Sequence, residues 1–183
     1  GCLPASLENN YLMPVNIPIT VSIFFVITTL VTWYLVARST NGRNTISVII
    51  FIWLLLQAIV SATGFYLVTN TFPPRFILLI GPPLLFIIAL FLLPAGKQFL
   101  DSFDPEKLTW IHTVRVPVEL VLFWLFIYKQ VPQLMTFEGR NFDILVGLTA
   151  PIVAWLAFCN GKINKPLLVI WNGCGLILLA NIV

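Results

Sequence analysis

Charge is what this sequence has least of. Of 183 residues, ten are Lys or Arg, seven are Asp or Glu and one is His; charged residues make up 9% and hydrophobic residues 59%. Mean hydropathy is +0.98. A soluble domain carries about 25% charge and roughly 45–50% apolar residues, and a folded chain of this length cannot hide so large an apolar excess. The scarcity of charge therefore excludes a soluble globular domain, a disordered chain and a nucleic-acid-binding surface. What remains is an integral membrane protein.

Other absences narrow the chemistry. The single histidine, His112, excludes a bis-histidine haem and a His-based zinc site. The three cysteines, Cys2, Cys159 and Cys174, are odd in number and widely spaced, so neither a disulfide framework nor a thiolate metal site is expected. Cys2 has no lipobox before it, and chance placement is the simpler account of it than lipidation. No HExxH, GxSxG, P-loop or GxGxxG motif occurs. No lysine lies deep in an apolar run to hold a Schiff base, and no ladder of arginines suggests a voltage sensor. The spans also lack a carboxylate pair for glycosidic chemistry. No cofactor and no metal are expected. The expected partner is the lipid bilayer, with no nucleic acid.

What is present in abundance is uninterrupted apolar sequence. A spanning helix needs about 20 mostly apolar residues. Six segments are expected to span: Ile17–Ala37, Thr45–Thr69, Phe76–Leu93, Thr109–Val131, Phe142–Cys159 and Pro166–Val183. They read as helices, because runs such as Val48 to Leu56 are apolar all round and do not alternate as barrel strands would. The links hold turn formers: Ser39-Thr40-Asn41-Gly42, Asn70 to Pro74 and Asn160-Gly161. Short links make neighbouring helices antiparallel. The expected architecture is thus all-α, one transmembrane helix bundle over residues 1–183, with Ala95–Leu108 as its largest loop.

The tail Gly1–Asn16 carries Glu8 and no Lys or Arg, so the first span is not a cleaved signal peptide. The last span stops at Asn181-Ile182-Val183 without a basic or aromatic anchor. Spans usually end in an interfacial belt, so the expectation is a piece of a longer protein. Orientation follows from basic loop residues. Arg38, Arg43, Lys97, Lys107, Lys162 and Lys165 fall on one side; Arg75, Lys129 and Arg140 fall on the other. The first set is expected in the cytoplasm, with both termini outside.

Only the fourth span carries full charge near its middle. His112, Arg115 and Glu119 lie within roughly 60° of one another on the helix surface at 100° per residue. Arg115 and Glu119 are four apart and can pair along the helix. Ionisable residues at such depth are functional by default; the structural alternative has Arg115 snorkelling to the surface with Glu119 neutralising it. Pro117, inside the cluster, cannot donate to the Thr113 carbonyl and should kink the helix. Gly81-Pro82-Pro83 in the third span suggests either a discontinuous helix lining a midplane site or a static kink. Pro151 should bend the fifth span.

Gln57, Ser61 and Gly64 share one face of the second span, and Asn172 lies beside Trp171 in the sixth. Such groups most often join helices, yet Asn172 or Gln57 could be the partner that satisfies Glu119 or Arg115. The candidate intramembrane site is therefore His112, Arg115, Glu119, Asn172 and Gln57. A second candidate is the outer loop Phe137–Asp143, where Glu138 and Asp143 could both pair with Arg140, and where Asp143 or Asn141 could cap the fifth helix. This loop reads either as a small binding surface or as a solvated capping turn.

The stretches Val114–Glu119, Leu134–Asp143 and Trp171-Asn172 through Val183 resemble a family of small bacterial multi-pass membrane proteins without an assigned activity. The likeness covers roughly the C-terminal half. It implies a bacterial cytoplasmic-membrane setting and further apolar sequence beyond Val183, and it implies no mechanism. On the residues alone, the expected function is small-molecule or proton-coupled transport, or ligand response, through the polar cluster. The rivals are a membrane enzyme using Glu119 or His112 for proton transfer and an accessory subunit whose charges serve assembly. The identity of a ligand and the oligomeric state have no signature in the sequence.

Overall fold

Long apolar stretches leave the backbone no hydrogen-bond partner but itself, and a helix is the element that satisfies it locally. The structure, a computed structural model, describes residues 17–40, 44–68, 71–159, 161 and 163–181. The tail Gly1–Asn16 with Cys2 and Glu8, the turn residues Asn41, Gly42, Arg43, Asn70 and Asn160, and Thr69, Lys162, Ile182 and Val183 lie outside the described residues. The described residues are helical with no strand. In chain order the helices are α1 (Ile19–Ser39), α2 (Asn44–Ala62), α3 (Ile77–Leu92), α4 (Pro94–Leu100), α5 (Pro105–Ile111), α6 (Arg115–Ile127), α7 (Asp143–Phe158) and α8 (Lys165–Ala180). Among the described residues, three helical runs are long and apolar enough to cross a membrane: Ile19–Ser39, Thr45–Ala62 and Pro105–Ile127. The other three apolar helices, α3, α7 and α8, have 16 residues each, about 24 Å of helical rise against a hydrocarbon core of about 30 Å.

The chain divides into two compact units, Leu30–Ile111 and Gly1–Thr29 with His112–Val183. In the first, Trp33 on α1 donates its indole N–H to the Ser47 carbonyl of α2 at 2.8 Å. The second span was expected to run to Thr69, but α2 stops at Ala62. Gly64, at φ +72, takes the left-handed conformation that closes the helix and opens the 3₁₀ turn Phe65–Leu67. Gly64 therefore terminates the helix instead of sharing a face with Gln57 and Ser61.

Of the two readings of Gly81-Pro82-Pro83, the discontinuous helix does not form: α3 stays helical through both prolines. Pro82 cannot bond the carbonyl of Leu78 four residues earlier. The Gln57 side-chain amide of α2 reaches that carbonyl at 3.5 Å, while the Tyr66 hydroxyl donates to the Gln57 carbonyl oxygen. Gln57 thus patches the defect that the proline leaves.

The loop expected over Ala95–Leu108 is also largely helical. Pro94 opens α4, which folds back on α3 so closely that a Cβ on Gly96 would lie 1.9 Å from the Leu90 carbonyl oxygen. Asp104 then caps α5, accepting the N–H of Glu106 at 3.0 Å and of Lys107 at 3.4 Å, with the Lys107 ammonium at 3.2 Å. Burial pushes the Asp104 carboxyl up; the Lys107 ammonium and the two backbone N–H groups outweigh it and hold the carboxyl below its ordinary value. A depressed carboxyl stabilises the fold above the unfolded value, about 3.9, and loses that contribution as pH falls through the folded value. Asp104→Ala is expected to cost about 0.5–2 kcal/mol, as for helix N-caps in general. Amide exchange at Glu106 and Lys107 should speed up in this variant at neutral pH, and in the parent only on strong acidification.

The second unit is built on α7. Its buried residues Val146, Gly147, Ala150, Val153, Ala154 and Ala157 recur at helical spacing. Most are small, which lets neighbouring backbones approach. α8 lies antiparallel to it, with Gly175 against Val146 and the Trp171 indole N–H donating to Thr149 Oγ1 at 3.0 Å. Each unit leaves many large apolar side chains exposed, such as Ile23, Phe91, Trp155 and Ile177 at 52–70%. That is the surface hydrocarbon solvates and water does not.

Candidate functional site

The run Pro105–Ile127 is where the cluster sits. As expected from Pro117, its hydrogen-bond ladder is interrupted: α5 gives way to the 3₁₀ turn His112–Val114 before α6 begins at Arg115. Pro117 offers no N–H to the Thr113 carbonyl, and the helix tightens at that place.

α6 ends in the C-terminal pattern of a Schellman motif. Lys129, at φ +56, is the left-handed residue, and Gln130 N–H bonds the Leu125 carbonyl at 2.9 Å. The chain then turns back. From the 3₁₀ turn Gln133–Met135 onward it runs alongside α6 in an antiparallel register, with Phe137 on Phe123 (ring centroids 4.9 Å), Asn141 on Glu119 and Gly147 on Val116. The fifth helix starts only at Asp143, opposite Arg115. The residues expected as an outer loop are thus a non-helical leg packed along the second half of α6. Part of its backbone is bonded within the leg and the turn before it: Gly139 and Asn141 N–H bond the Thr136 carbonyl at 2.9 and 3.2 Å, and Arg140 N–H bonds the Leu134 carbonyl at 3.3 Å. Gly139 is obligatory here, since a Cβ would meet the Gln133 carbonyl oxygen at 2.3 Å.

Glu119 is 3% exposed. Asn141, itself buried, donates its Nδ2 to Glu119 Oε1 at 2.6 Å and to the Met135 carbonyl at 3.0 Å, while its Oδ1 accepts the Asp143 N–H at 3.1 Å. Glu119 Oε2 has no hydrogen-bond partner among the described residues. Arg115 and Asp143 form an ion pair, Nη1 to Oδ1 2.6 Å, in which the contact lacks the angles of a hydrogen bond. α7 is held against α6 at this level by Gly147, whose missing Cβ would sit 2.8 Å from Val116 Cγ2 and 3.2 Å from Arg115 Cβ. His112 packs edge-to-face on Trp171 at 5.1 Å.

His112, Arg115 and Glu119 therefore do lie on one packed face, and Asp143 from the second candidate site joins them. The expected pairing of Arg115 with Glu119 does not occur; one turn apart, each reaches sideways to a different residue of the returning chain. Neither Asn172 nor Gln57 is the partner of either. Asn172 is exposed and bonds the Leu168 carbonyl of its own helix at 2.8 Å, and Gln57 is occupied in the other unit. Glu138 and Arg140 are exposed and form no ion pair among the described residues, so Arg140 does not bind Asp143. The Arg140 carbonyl instead accepts from Asn181 at 3.1 Å. Asn141 is the residue that sequence reasoning did not place in the intramembrane site. No group of three His, Cys, Asp or Glu among the described residues is placed to hold a metal ion.

No protein family, no curated protein and no solved structure matches this chain. The site's own geometry is therefore what bears on function.

Proposed function

We propose that this is a multi-pass membrane protein whose polar cluster at Arg115, Glu119, Asn141 and Asp143 serves small-molecule or proton-coupled transport, or ligand response. In this reading six apolar helices cross the membrane, a bacterial cytoplasmic membrane by the resemblance of the C-terminal half. Arg38, Arg43, Lys97, Lys107, Lys162 and Lys165 face the cytoplasm, so the stretch before α1 lies outside. The observation that carries the reading is the non-helical leg. Residue 116 is the midpoint of the Pro105–Ile127 run, so Glu119 is about 4.5 Å of helical rise from its centre. Asn141 meets it there. Irregular backbone at membrane depth is tolerated only where it is buried in protein or lines a cavity, and transporters build their midplane sites from such segments. The leg also extends the short α7, since the leg and the first turns of α7 run alongside α6.

The test is flux. Proteoliposomes holding a pH-sensitive dye, with membrane potential clamped, are given a pH gradient. The wild-type chain is expected to discharge it faster than empty vesicles, and folded Glu119→Gln to match the empty vesicles. Equal rates for the two variants would count against transport through this site.

A further inference from the structure

We propose that Glu119 Oε2 is the exchangeable ligand position of this site and that its ligand is a single proton. The inference rests on the reading of the cluster as a working site, and it names what that site takes up and releases.

The argument is one of charge and hydrogen-bond direction. Arg115 is the single full positive charge that α6 presents to α7, and it is matched by Asp143 at 2.6 Å. Glu119 brings a second carboxyl group to the same level of the bundle and meets only an amide. The other elements packed here add no counter-charge among the described residues. α8 contributes Trp171 against His112, the second turn of α1 contributes Phe24 against Trp124, and Glu138 and Arg140 of the leg keep their side chains exposed. An isolated buried carboxylate costs far more than a buried neutral group, so the site is completed by one unit of positive charge.

Where that charge goes is fixed by Asn141. Its Oδ1 faces an N–H, which can only donate, and its Nδ2 faces the Met135 carbonyl, which can only accept. The amide cannot flip without breaking both bonds. Glu119 Oε1 is therefore an acceptor in every state, and the oxygen left open is Oε2, unpartnered among the described residues in a side chain whose residue is 3% exposed. A water-derived proton forms an O–H bond on Oε2, and release breaks that bond and returns the proton to water. An alkali cation would supply the same charge but needs a shell of several oxygens, whereas Oε1 is held by Asn141 and Oε2 is the one oxygen of Glu119 left open.

Infrared difference spectra of the detergent-solubilised full chain across a pH series test this without any transport. The wild type is expected to show the carbonyl stretch of a protonated carboxylic acid that disappears on alkalinisation, shifts in heavy water, is absent from Glu119→Gln and persists in the double variant Arg115→Leu with Asp143→Leu, which removes the neighbouring ion pair as a unit. The proposal is overturned if no such band appears at any pH, if it never titrates, if it survives in Glu119→Gln or vanishes in the double variant. It is also overturned if sodium at constant pH abolishes the band, which would identify a cation site. Should Glu119→Gln fail to fold, the wild-type titration and the double-variant spectrum decide. A titrating band with no dye-reported flux would refute transport and leave the proton site standing.

Discussion

Arg115→Leu is expected to destabilise the protein toward the lower end of about 3–5 kcal/mol, the range for breaking a buried ion pair from one side. The lower end applies because the Arg115 side chain keeps 27% of its surface exposed and Asp143 13%. The loss is large because the leucine leaves Asp143 without its counter-charge at the first turn of α7, while Glu119 remains one turn away. The double variant Arg115→Leu with Asp143→Leu should recover most of it, since replacing both partners by apolar residues is often neutral. Denaturant unfolding in detergent micelles gives the cycle directly. A double variant no more stable than Arg115→Leu alone would show that the pair is not what couples these helices.

Asn141→Leu should rival it. The substitution orphans three groups at once: Glu119 Oε1, the Met135 carbonyl and the Asp143 N–H. Each unsatisfied buried group costs about 1–3 kcal/mol, and because they form one network their costs do not add; a net loss of about 3 kcal/mol is expected. Adding Glu119→Gln removes the neediest acceptor, so Asn141→Leu should cost less in that background than in the parent. Equal costs in the two backgrounds would mean that Asn141 acts on the leg alone and not on Glu119.

Much of the fold can be read from the chain because apolar runs dictate helices. α1, α7 and α8 fall within a few residues of the segments their hydropathy marks out, and Pro117 marks the break at His112–Val114. Among the described residues, three helices are long and apolar enough to cross by their own length. The cluster was legible for a related reason: in so apolar a chain, Arg115 and Glu119 stand out by charge alone. Periodicity, however, tells which face a residue is on and not what lies opposite. That is why Gln57 and Asn172 looked available to the cluster although their partners are Leu78, Tyr66 and Leu168. Asn141 was hidden differently. An amide two residues before Asp143 reads as a helix cap, and its Oδ1 does bond the Asp143 N–H. Its second task depends on the leg folding back along α6, which no local pattern encodes. The one hint was the Gly139 turn, crowded against Gln133 and compatible only with a tight return.

The antiparallel return of the leg also orders events during synthesis. Glu119 leaves the ribosome 22 residues ahead of Asn141, and Arg115 leaves 28 residues (143 minus 115) ahead of Asp143. At about 5–20 residues per second, the Arg115 interval lasts roughly one to six seconds. For most of it, α6 carries Arg115 without its counter-charge and Glu119 without its amide, and in the proposed membrane setting an unpaired charge costs a few kcal/mol. α6 is thus a poor substrate for release into lipid on its own. If the proposed topology holds, the insertion machinery retains it until the leg and the start of α7 arrive, and these elements enter the bilayer together as one hairpin.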